Sequence, residues 1–199
     1  MISRRRTRGD ETWERLLNWS DGQKASERLA AHLLASERFS SIDPSHPLGG
    51  SDGLKDIVCI KDGSSWAAAC YFANGKKPFR SIYQKFISDA EILDRKEVEG
   101  FIFITNQYLQ LGYREKLLHS VKSAKVDILH LERIAHILNR PENYGIRLEF
   151  LDIEMNKEEL ISFIATVAKQ ALEYKNLQQG FDELRQKVQD YLSEQGDKK

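Results

Sequence analysis

Several protein classes are excluded by what this chain lacks. Its 199 residues include only two cysteines, Cys59 and Cys70, and five histidines, none at metal-binding spacing. That removes a zinc module and a disulfide-stapled scaffold. Two buried free thiols in a reducing cytoplasm are the expectation, with a Cys59–Cys70 disulfide as the alternative. Neither charge sign is in excess, since Lys plus Arg and Asp plus Glu are both 30. Net charge therefore gives no argument for a polyanionic partner, and any basic surface has to be local. No apolar run approaches the roughly 18 residues of a membrane span. The basic start, Met1 to Arg8, leads into a charged amphipathic segment and not into a signal-peptide core. A cytoplasmic protein with no membrane partner is expected. Internal repeats, low-complexity tracts and a recognition-helix motif are also missing.

What is present reads as alternating elements. Trp13, Leu16, Leu17 and Trp19 mark a short amphipathic helix that ends at Asp21-Gly22. Leu29, Leu33 and Leu34 form the stripe of a stronger helix over 24–37, and a short strand is expected over 39–42. Pro44, Pro47, Gly49, Gly50 and Gly53 mark a long loop that delivers Asp56 to the start of a strand. That strand, 56–60, and a second at 66–72 are joined by Lys61-Asp62-Gly63-Ser64, a strong hairpin signal. Further on, the pattern predicts a helix over 79–93 and a strand at Gly100 to Ile104, whose unbroken apolar run suits burial on both faces. A helix over 111–124, a strand at 126–129, a helix at 131–138 and a short strand near 146–151 follow. This order predicts an α/β fold, a central mixed sheet flanked by helices.

From Asn156 the texture changes. Asn156 suits a helix cap, with Glu158 and Glu159 in the first turn. Leu160, Ile164, Val167, Ala171 and Tyr174 alternate steps of four and three, as a coiled-coil seam does. Leu177, Phe181, Leu184, Val188 and Tyr191 continue it after one extra step of three, a stammer. Three parts result: a basic tail and short helix (1–21), an α/β domain (22–155) and an amphipathic helix (156–199). Through residues 156–195 the chain is expected to form a homodimer, to bind a partner protein, or to pack back on its own domain.

The helix bearing Ser26-Glu27-Arg28-Leu29, the loop Gly50-Ser51-Asp52-Gly53-Leu54-Lys55-Asp56, the hairpin and the turn Thr105-Asn106 together resemble the PD-(D/E)xK restriction-endonuclease-like superfamily. The likeness is to its type IV, Mrr-like, methyl-DNA-directed members and covers about residues 22–130. It implies a restriction-endonuclease-like fold, to which the sequence pattern adds the long C-terminal helix, and a place in a bacterial defence system. It also implies Mg²⁺ held by Asp56 and Glu27, because phosphodiester hydrolysis needs a hard cation and oxygen ligands. The second hairpin strand should add an acid or glutamine and a lysine on one face. Here those positions are Ala69 and Tyr71. A methyl group cannot ligate a metal, and a phenol of pKa near 10 is no fixed cation.

Two outcomes follow from that resemblance. In one, the domain binds DNA without cutting. In the other, Lys85 (or Lys76 or Lys77) supplies a migrated ammonium, and Asp56, Glu27 and Lys85 cut with Mg²⁺. Contacts to nucleic-acid phosphates are expected from Arg4, Arg5 and Arg6 in the tail and from Lys76, Lys77 and Arg80. Tyr71, Phe72, Phe79, Tyr83 and Phe86 read as core, with a base-stacking platform as the alternative. A third reading, from a different class, is a non-catalytic scaffold acting through its C-terminal coil.

Overall fold

The computed structural model describes residues 8–44, 57–94, 98–122 and 124–196. The chain divides into two compact units, Met1–Glu154 and Met155–Lys199. In the first, a five-stranded sheet runs in the order β1 (Ser40–Pro44), β2 (Ile57–Lys61), β3 (Ser64–Tyr71), β4 (Gly100–Thr105) and β5 (Lys125–Leu129). β1, β2 and β3 pair antiparallel, whereas β3, β4 and β5 are parallel. The fold is α/β with a mixed sheet, as expected.

The β2–β3 hairpin closes on Asp62 and Gly63, both at positive φ (51° and 78°), the backbone that a two-residue turn between twisted strands requires. Parallel pairing of β3 with β4 and of β4 with β5 needs crossovers, which α3 (Phe79–Ala90) and α4 (Leu111–Ser120) provide. All six residues of β4 are buried, which explains its unbroken apolar run. A methyl group at Gly100 would overlap the Trp66 indole on β3, so only glycine fits beside that ring.

Alternation along β3 sorts the helices. Ala68 and Cys70 join Ile57, Cys59, Ile102, Ile104 and Leu129 in a core with α1 (Arg8–Leu17), α2 (Gly22–Ser36), α5 (Leu131–Leu138) and α6 (Tyr144–Leu151). Ala67 and Ala69 face the other way, into a core with Phe101, Phe103, Ile82 and Phe86 under α3 and α4. Trp19 and Leu16 complete the first core, so the N-terminal helix is part of this layer.

One element departs from the sequence pattern. Residues 146–151, expected as a short strand, are helical within α6. Ile146, Leu148 and Phe150 alternate as strand residues do, yet the buried set is Arg147, Phe150 and Leu151 at helical spacing, with Leu148 exposed. Arg147 supplies the missing interior position: its guanidinium donates to Asn139 Oδ1 at 3.1 Å and lies over the Tyr144 ring at 4.4 Å. α3 and α4 also end earlier than their apolar patterns, α3 giving way to a 3-10 turn at Glu91–Asp94.

The second unit is one helix, α7 (Lys157–Gly196), of 40 residues, about 60 Å long. Asn156 and Glu159 cap it reciprocally: the Glu159 amide donates to Asn156 Oδ1 at 2.8 Å, and the Asn156 amide to Glu159 Oε2 at 3.0 Å. Its large apolar side chains from Leu160 to Leu184, apart from the half-buried Phe163, are 45–71% exposed.

Candidate functional site

β2 pairs with β3 only as far as Ala68, opposite Ile57. Beyond it, Ala69, Cys70 and Tyr71 keep their β4 partners Phe103, Ile104 and Thr105. Asp56, with the glycine-rich loop before it, lies outside the described residues, as do Arg4, Arg5 and Arg6. The remaining candidate residues are arranged around the end of β3.

From one side α2 contributes its first turns. Gln23 Nε2 donates to Glu27 Oε1 at 3.0 Å and to the Cys70 carbonyl at 3.4 Å, tying the glutamate's helix to the strand. The Cys70 thiol donates to the Ser26 carbonyl at 3.5 Å. From the other side α3 brings Lys85, ion-paired with Asp89 one turn later. Glu27, Asp89 and Lys85 all lie close enough to Cys70 for their charges to act on its thiol. Glu27 on α2 and the Lys85–Asp89 pair on α3 thus flank β3 from its two faces.

Asp89 was not legible as a site residue. It is only 6% exposed and occupies the buried stripe of α3 with Ile82 and Phe86. Burial pushes its pKa up, against the opposing pull of the Lys85 hydrogen bond. One carboxylate oxygen holds Lys85; the other, Oδ2, has no partner among the described residues. The available signal was the i, i+4 spacing of Lys85 and Asp89, an acid set into an apolar helical face.

Ala69 and Tyr71 lie on the face of β3 that α3 and α4 cover. Ala69 is buried, and Tyr71 stacks near Phe103 at 6.4 Å between centroids. Neither supplies a charge. Cys59 and Cys70 are free, and burial pushes their thiols up to about 11 and about 12. Both stay protonated, so neither is a nucleophile. Among the described residues, no three His, Cys, Asp or Glu side chains come together as a metal site. Glu27 and Asp89 alone do not fit a divalent cation that takes six or more oxygens.

The basic cluster sits on the connection from β3 to α3. Lys76, Lys77 and Arg80 flank the N-terminus of α3, and among the described residues none has an ion-pair partner. Two fully buried amides after β4 hold this connection. Asn106 accepts from the Ala73 amide at 3.0 Å and donates to the Leu16 carbonyl at 2.7 Å and the Ala73 carbonyl at 2.9 Å. Gln107 accepts from the Lys77 amide at 2.8 Å and donates to the Gly75 carbonyl at 3.1 Å. The polar pair directly after an apolar strand was visible in the sequence, but its partners were not. Beside the cluster, Phe79 stacks on Tyr113 at 4.0 Å and contacts Tyr83, with both tyrosines about one-third exposed. Of the expected core aromatics, Phe86 is fully buried, Tyr71, Phe72 and Phe79 are half-buried, and Tyr83 is at the surface.

Two other features stand apart. A groove of about 680 Å³ between α1 and α6 is lined by Glu11, Glu14, Asp21, Glu149 and Asp152 against a single Arg15, a lining that repels polyanions. His130 precedes α5 without capping it; it is buried and shares a 3.3 Å contact from its Nε2 with Arg114. No described helix is long and apolar enough to cross a membrane.

The comparisons are sparse. No family model matches the chain, and no curated protein matches it. Among solved structures, it is similar to the DNA modification-dependent restriction endonuclease AspBHI, with a TM-score of 0.46 and 17% identity over 71% of this chain. The matched part spans 37% of that protein's chain.

Proposed function

We propose that residues 22–155 form a restriction-endonuclease-like domain that binds nucleic acid and has lost its cutting strand, acting within a bacterial defence system. The observation that carries this reading is at the end of β3. The two positions where a nuclease of this type needs an acid and a lysine hold a buried alanine and a ring-stacked tyrosine. Lys85 on α3 is ion-paired with its own Asp89. Binding is supported by Lys76, Lys77 and Arg80 around the N-terminus of α3, where unpaired amides and the helix dipole favour a phosphate. The exposed Tyr83 and Tyr113 rings beside them suit stacking on a base or sugar.

Titration of a labelled DNA duplex across a salt series tests this. The expected result is binding that weakens steeply with salt, with the Lys76→Ala, Lys77→Ala, Arg80→Ala triple variant losing about two to three units of the log–log salt slope. No affinity even at low salt would eliminate the nucleic-acid reading and leave the scaffold reading, in which only α7 engages a partner.

One observation favours a second reading, a Mg²⁺-dependent endonuclease with a migrated lysine. The unpartnered Asp89 Oδ2 beside Lys85 offers a carboxylate and an ammonium on α3, in place of the pair absent from β3. Duplex incubated with Mg²⁺ or Mn²⁺ decides between the two. Cleavage abolished by Asp56→Ala and by Lys85→Ala establishes the endonuclease; no cleavage by the unaltered protein supports the binding domain.

A further inference from the structure

The apolar side of α7 carries a shape that specifies its own partner. Leu177, Gly180, Phe181 and Leu184 stand at i, i+3, i+4 and i+7, the four positions that frame a coiled-coil hole. With Asn176 they line a concavity of about 400 Å³. Gly180 is what opens it: a Cβ there would meet nothing within 4 Å. The largest knob on the same stretch is Phe181, 71% exposed.

We propose that α7 forms a parallel, in-register two-stranded coil with a second copy of this chain, in which Phe181 of each helix fills the hole beside Gly180 of the other. The seam phase requires this pairing. With Leu177 and Leu184 at d and Phe181 at a, a parallel partner inserts its a residue into the hole made by d, g, a and d, which are Leu177, Gly180, Phe181 and Leu184. Phenylalanine at a normally crowds a two-stranded coil, and glycine at the adjoining g position removes that crowding. An antiparallel pair would instead present a d-position leucine to the same hole and leave it part empty.

The stammer between Tyr174 and Leu177 argues the same way, because two copies in register overwind at the same height. Area is sufficient as well. Leu160, Ile161, Ile164, Val167, Tyr174 and Leu177, with Phe181 and Leu184, are all at least 45% exposed. At roughly 100 Å² each they offer about 800 Å² per helix, the share per partner in a standard specific interface. Across the parallel seam Glu173 at g faces Gln178 at e, so no like charges meet there. This inference is independent of the reading of the β3 site.

Sedimentation of the full chain over a concentration series tests the dimer, and disulfide trapping tests its direction. Leu184→Cys, at the seam, is expected to trap a covalent dimer rapidly, whereas Gln179→Cys, on the outer face, does not. Gly180→Leu fills the hole while raising helix propensity, so the dimer's dissociation constant should rise about tenfold or more, with helicity maintained at high protein concentration. Phe181→Ala should weaken the dimer similarly. A chain that sediments as a monomer at every concentration overturns the proposal. So does trapping through Gln179→Cys as fast as through Leu184→Cys, or a Gly180→Leu variant that associates as tightly as the parent.

Discussion

The two units of this chain place their apolar residues on opposite sides of the surface. In the first unit, the leucines of α2, the phenylalanines of β4 and even the stem of Arg147 are interior. In the second, the large apolar side chains from Leu160 to Leu184 face outward, with only Phe163 half-buried. Helices of both units carry apolar stripes, so a stripe alone does not determine where a helix finds its cover. The first unit derives its stability from contacts within one chain. On the proposed pairing, the second would gain its stabilisation by association, and that stabilisation would depend on concentration.

The sharpest way to break this comparison is to cut each interior separately. Phe86, fully buried against Phe101 and Phe103, should lose about 3–5 kcal/mol of first-unit stability on replacement by alanine. Urea denaturation measures this, and sedimentation should find the oligomeric state of the folded variant unchanged. Phe181→Ala should do the reverse, changing mass while leaving the first unit's urea midpoint in place.

Next in size is an effect of acid confined to the first unit. Burial, then the charges of Arg114 and Arg133, hold His130 at about 4, with Asp127 opposing. An unfolded histidine titrates near 6.5. The stability that His130 contributes is therefore complete above pH 6.5 and is lost as pH falls towards 4, a loss on the order of 3 kcal/mol. In His130→Gln the dependence of stability on pH across that window should flatten, as read by urea midpoints at several pH values.

The smallest effect concerns Asp89 and has the opposite sign. Burial raises its folded pKa against the opposing Lys85 hydrogen bond, so ionising Asp89 costs more in the folded protein than in the unfolded chain. Its contribution is full below the unfolded value and declines as pH rises through the folded one. Asp89→Asn should accordingly stabilise the first unit at neutral pH by about 1 kcal/mol, and the gain should vanish in acid. Thermal unfolding of the pair at both pH values checks it.

Much of the scaffold was readable from residue types alone. The hairpin followed from Asp62-Gly63 between two apolar runs, β4 from its unbroken apolar stretch, and the cap of α7 from the Asn156 and Glu159 spacing. α6 was not readable, because an arginine occupied an interior position and the flanking residues alternated like a strand. The candidate site was readable only in outline. Glu27 and Lys85 stand on helices that cover opposite faces of β3, no local motif marks Asp89, and the Asn106 and Gln107 clamp depends on carbonyls about thirty or more residues away in the chain. Long-range partners of that kind leave no trace in local periodicity.

The amide clamp also bears on how the connection from β3 to α3 meets a ligand. Asn106 and Gln107 saturate the main chain at Ala73, Gly75 and Lys77, so this stretch is preorganised and only the lysine and arginine side chains need to settle. Nucleic acid docking there, as proposed, would meet no disorder-to-order penalty in this main chain. Its heat-capacity change should reflect the contact area alone, the signature of a rigid-body encounter and not of coupled folding.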